Sequence, residues 1–68
     1  MAPWRQIHAD LVKQITSGEL QPGDRLPSIV SLAQQYGVAL TTVRKALDVL
    51  KADGMVVTSP MGTFVTGH

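Results

Sequence analysis

The sequence predicts a mainly helical α+β domain, with three helices followed by a C-terminal β-hairpin. Apolar residues recur at three- and four-residue spacing as far as Asp53, glycines fall between these stretches, and beyond Gly54 the pattern changes to short β-branched runs. At 68 residues there is room for one domain, expected over 1–68, with one hydrophobic core. A chain this short buries only about 60% of the surface it exposes when unfolded, so its design has to be economical. Hydrophobic residues make up 44% of it, enough for such a core, and with no cysteine the fold is held by packing alone.

The first helix is expected from about Pro3 to Ser17. Ile7, Leu11 and Ile15 recur every fourth residue with Trp4 one turn earlier, while Arg5, Asp10, Lys13 and Gln14 fall off that stripe. Pro3 suits the first turn, where a missing N–H costs nothing, and Gly18 suits a left-handed exit. Pro22-Gly23 fits the centre of a type II turn, leading into a short extended piece at Arg25-Leu26. Ser28 stands where a helix N-cap is expected, ahead of Ile29, Leu32, Ala33 and Tyr36 at helical spacing. Gly37 ends that helix. A third begins near Leu40 or Thr41, carries Val43, Ala46, Leu47 and Leu50 on one face, and stops at Gly54, so residues 28–53 read as helix, tight turn, helix. Met55–Thr58 and Thr63–Thr66, separated by Ser59-Pro60-Met61-Gly62, form the hairpin over 55–66.

Composition excludes several classes of function. Charged residues are 16% of the chain and the net charge is +1, from six basic against five acidic residues, so a polyanion cannot be held by bulk charge. Any such binding must rest on placement. His8 and His68 are the two histidines, so neither H-E-x-x-H nor a clustered imidazole set is available for a metal. The glycines are spaced as punctuation and form no phosphate-binding loop, so no cofactor is expected. No nucleophile–base set supports an enzyme. Without a signal-like or membrane-spanning apolar run, no membrane association is expected and a cytoplasmic location is the default. Arg25 reads as a surface residue paired with Asp24 or Glu19, Lys51 as paired with Asp48 or Asp53, and His8 as a polar position on the first helix.

The chemistry that remains is at the start of the third helix. Thr41, Thr42, Arg44 and Lys45 fall outside the arc of its apolar face and are expected to point outward. An α-helix fits the major groove of DNA; threonine hydroxyls bond phosphates or bases, and an arginine can bond guanine with two parallel hydrogen bonds. Ser59, Gly62 and Thr63 are small enough for close backbone approach by the hairpin. Taken alone, a Thr-Thr-x-Arg-Lys start is equally a solvated helix end.

The ordered set Ile15–Ser28, Tyr36-Gly37-Val38, Thr41–Leu47, Asp53–Val56 and Gly62–Val65 resembles the GntR family of bacterial winged-helix repressors over almost the whole chain. The resemblance implies a three-helix winged helix–turn–helix that binds double-stranded operator DNA, palindromic and occupied by a homodimer. The third helix would enter the major groove and the wing the minor groove. It implies DNA contacts at Thr41, Thr42 and Arg44, a small capping residue near phosphate at Ser28, and a wing-tip glycine at Gly62; Lys45 and Thr63 join them from the reading of the residues.

The sequence also departs from that pattern. Ala39 stands where the family has Ser or Thr, Leu40 where it has Arg, and Ile29 and Val30 where it has polar or basic residues, while the wing lacks the usual arginines and is one residue short. The effector and dimerisation domain that the resemblance implies after the wing is not in this chain. This is compatible with an excised DNA-binding domain and with a small stand-alone regulator. Ile29, Val30, Leu40 and Met61 support a second reading, a winged-helix module for protein–protein contact through an apolar patch. The same residues could read thymine methyls or form a dimer seam.

Overall fold

The computed structural model describes residues 3–66, so the ends of the expected 1–68 domain lie outside the described residues. The elements are α1 (Pro3–Thr16), α2 (Ile29–Tyr36), α3 (Leu40–Ala52), β1 (Val56–Ser59) and β2 (Gly62–Val65). α3 is the centre of the packing. Its Val43, Ala46, Leu47 and Leu50 are buried against Ile7 and Leu11 of α1, Leu32 and Ala33 of α2, and Leu26, Val56 and Val65 from the extended segments. The α1 stripe is buried in its middle; Trp4 and Ile15, at its two ends, pack on the margin of the core.

Local chemistry sets the helix ends. The Ser28 hydroxyl accepts the Ser31 N–H at 3.0 Å and starts α2. Gly37 turns left-handed at φ 67°, letting the Val38 N–H reach the Ala33 carbonyl at 3.0 Å. Ala39 has the extended backbone of an N-cap but supplies no side-chain bond. The Tyr36 hydroxyl donates to Asp10 Oδ2 at 3.0 Å, tying α2 to α1.

The segment after α1 belongs structurally to the wing. Gly23 adopts φ 89° and the Asp24 N–H donates to the Gln21 carbonyl at 2.9 Å, as a Pro-Gly type II turn requires. The next residues run antiparallel to β2: Gly23 N–H to the Val65 carbonyl at 2.9 Å, Val65 N–H to the Asp24 carbonyl at 2.9 Å, and Leu26 N–H to the Thr63 carbonyl at 2.8 Å. Thus β2 pairs with β1 on one side and with this segment on the other. The extended piece at Arg25-Leu26 is as expected; its pairing was not foreseen.

The expected surface pairs do not form among the described residues. Asp24 Oδ2 accepts the Gln21 N–H at 2.8 Å, so its carboxylate is committed to its own turn and not to Arg25. Asp53 faces α1, where its Oδ2 lies 3.6 Å from His8 Nε2, and it makes no ion pair with Lys51. His8 itself stands edge-on to Trp4, with ring centroids 6.2 Å apart.

At the wing tip, β1 and β2 are in register from Val56↔Val65 to Ser59↔Gly62, leaving Pro60 and Met61 as the turn. Two-residue hairpin turns usually need positive φ at a central residue, which proline cannot adopt. Here the positive φ falls on Gly62, at 133°, while the Ser59 hydroxyl accepts the Met61 N–H and donates to the Gly62 carbonyl, both at 3.2 Å. Gly62 is also crowded: a Cβ there would lie 2.7 Å from Arg25 Nε. At the other end of the hairpin, Thr66 Oγ1 donates to the Gly54 carbonyl at 2.7 Å and closes the wing base onto the exit of α3.

Two outcomes follow. Gly62→Ala should destabilise the wing by about 1–3 kcal/mol through backbone strain and displacement of Arg25. Amide exchange should therefore accelerate in residues 57–64 more than in α1 and α3. Tyr36→Phe should cost roughly 0.5–1.5 kcal/mol at neutral pH. Burial first, then the Asp10 bond and charge, raise the Tyr36 pKa above its ordinary 10.0. The folded state thus keeps this proton longer than the unfolded chain. The stability it contributes is complete below the ordinary value and is lost as pH rises through the folded one. Urea melts of the parent and Tyr36→Phe should therefore converge at pH values above 10.

Candidate functional site

Packing four apolar residues of α3 inward determines what its first turns present. Thr41, Arg44 and Lys45 are exposed and Thr42 is half-buried on the flank. Because Ala39 offers no side-chain acceptor, the first N–H groups of α3 have no side-chain cap. They give the helix start a partial positive charge beside Thr41.

Arg44 lines a cleft between α3 and the wing together with Ile29, Asp48, Lys51, Thr58 and Thr63. A second cleft lies at the start of α2, lined by Arg25, Ser28, Val30, Gly62 and Thr63 among others. Ile29, Leu47 and Thr63 line both clefts, so the two lie side by side and together make up the groove face between α3, the start of α2 and the wing. Three cationic side chains, Arg25, Arg44 and Lys51, face it against a single carboxylate, Asp48, so its field favours an anionic ligand.

The structure therefore brings together Ser28, Arg44, Gly62 and Thr63 of the expected site. Thr41, Thr42 and Lys45 do not line this groove; they lie farther round α3. Lys45 is drawn the other way, its Nζ 5.6 Å from the centroid of the Trp4 ring, which also has the Arg5 guanidinium at 5.6 Å. This is within cation–π range. Arg25 is the functional candidate that sequence reasoning missed. Its backbone bridges to Phe64 and its side chain lies over Gly62, a consequence of strand pairing that no local periodicity signals.

The apolar patch is only partly formed. Ile29 is half-buried and packs against the core, whereas Val30, Leu40 and Met61 stay 54%, 49% and 76% exposed. Among the described residues no group of three or more His, Cys, Asp or Glu could hold a metal ion, and no helix is long and apolar enough to cross a membrane.

This architecture matches known proteins. The family model described as bacterial regulatory proteins, gntR family, matches residues 3–65. The uncharacterized HTH-type transcriptional regulator YieP of Escherichia coli (strain K12) is 45% identical over 56 residues, covering 81% of this chain and 24% of YieP. The chain thus spans about a quarter of the length of that relative. Among solved structures, YtrA from Sulfolobus acidocaldarius, a GntR-family transcription factor, superposes with a TM-score of 0.90 at 38% identity, covering 96% of this chain and 69% of YtrA. AraR(DBD) in complex with operator ORX1 gives a TM-score of 0.93 at 30% identity, covering 97% of this chain and 81% of AraR(DBD). With helices, wing and the residues between them all inside the matched span, the chain belongs to the GntR family of bacterial regulatory proteins.

Proposed function

We propose that this chain is the sequence-specific DNA-binding module of a bacterial transcription regulator, with α3 in the major groove and the wing at the minor groove. One observation carries the reading: the uncapped, hydroxyl- and arginine-bearing start of α3 lies beside a cationic groove that ends at the wing glycine. The likeness to AraR(DBD) in complex with operator supports DNA as the ligand. Arg44 makes the principal base contact and Thr41 and Thr42 bond phosphate or base edges. Ser28, Gly62 and Thr63 approach the backbone from the far side of the groove, and Lys45 adds charge from the α1 side. Two copies on a palindromic operator, in the cytoplasm, complete the reading. The competing protein-contact reading loses Ile29, which packs against the core, and keeps Val30, Leu40 and Met61 as exposed residues.

Arg44→Ala should weaken binding to the preferred duplex by about 1–3 kcal/mol without changing the thermal melt. Fluorescence anisotropy checks this, and unchanged affinity would remove Arg44 from the interface. With three or four cations near phosphate, the log–log salt dependence should have a slope of about −3 to −4 per protomer. A titration series from low to moderate salt measures it.

A further inference from the structure

Leu40 is the first residue of α3 and remains 49% exposed, at the end of the helix that is otherwise hydroxyl-bearing and cationic. It stands one turn before Arg44, at the i, i+4 spacing that puts both on one side of the helix. The core does not use it; the buried face of α3 is Val43, Ala46, Leu47 and Leu50. Nor does Leu40 cap the helix, since its neighbour Ala39 holds the cap position. This half-exposed leucine, beside Thr41 and one turn from Arg44, is therefore placed to meet whatever the start of α3 meets. Among the edges that base pairs present in the major groove, the thymine 5-methyl is the apolar one.

We infer that Leu40 is a specificity-determining residue that contacts a thymine 5-methyl group in the bound duplex, one turn from the base pair that Arg44 reads. The inference rests on the DNA-binding reading above and adds to it the chemistry of one base pair. An apolar protein partner fits this position less well. Arg44 stands one turn along α3 from Leu40, and with its charge so close it would have to be desolvated in an apolar interface, whereas against DNA it meets phosphate or a base edge.

The test begins with selection of duplexes from a random pool by the 68-residue chain. Each thymine of the selected sequence is then replaced, one at a time, by deoxyuridine, which removes only the methyl group. Binding of the parent should weaken about fourfold at one such position, the factor that burial of one methyl-sized group is worth. Leu40→Ala should bind the thymine and deoxyuridine duplexes equally, and Leu40→Arg should shift the preference there from thymine to guanine. A specifically bound duplex whose deoxyuridine variants all bind like the original overturns the role of Leu40 and leaves the DNA-binding reading standing. So does a methyl effect that survives intact in Leu40→Ala. A pool that shows no enrichment overturns both.

Discussion

Three backbone hydrogen bonds between residues 23–26 and β2 connect the helical part of this molecule to its wing. A two-stranded hairpin alone is at best marginally stable in water. Pairing β2 on its second edge adds a third extended segment to the hairpin and carries Leu26 and Val65 into the core beside Val56. The same pairing fixes where α2 begins, because Ser28 follows Leu26 by two residues. Wing, second helix and groove thus depend on one short ladder, and Arg25 is carried over Gly62 as a result.

α3 supplies the complementary constraint. Four buried residues in thirteen fix its rotation about its own axis, and that rotation separates its two basic residues. Arg44 turns toward the wing groove and Lys45 toward Trp4. A net charge of +1 is therefore a poor guide to the local field, because the groove gathers three cations against one carboxylate. Asp24 and Asp53, which could have neutralised Arg25 and Lys51, are engaged in the Gln21 turn and opposite His8.

Most of the fold was legible because its determinants are local. The period of Ile7 and Leu11, the Ser28 cap, the left-handed Gly37 and the change to β-branched residues after Gly54 each act over a few residues, and each appears where expected. What escaped depends on tertiary contact. A strand of two or three residues has no periodicity to detect, so the docking of Arg25-Leu26 on β2, and with it Arg25 as a site residue, was invisible. The split of Arg44 from Lys45 required knowing that α1 sets Trp4 against α3. Ile29 had two readings, on the apolar face by its spacing with Leu32, Ala33 and Tyr36 and in a surface patch because the family resemblance puts a polar or basic residue there; packing decides for the first, while Val30 beside it stays exposed.

The Pro60–Met61 turn has a consequence beyond the wing geometry. β1 is the outer strand of the hairpin, four residues long, and carries the half-exposed Val57. An apolar outer strand with free N–H and carbonyl groups invites pairing with another copy. This one ends directly in a proline, which has no N–H with which to extend a ladder. Brevity and that proline together discourage edge-to-edge assembly, so the wing can carry apolar surface without becoming a seed for aggregation.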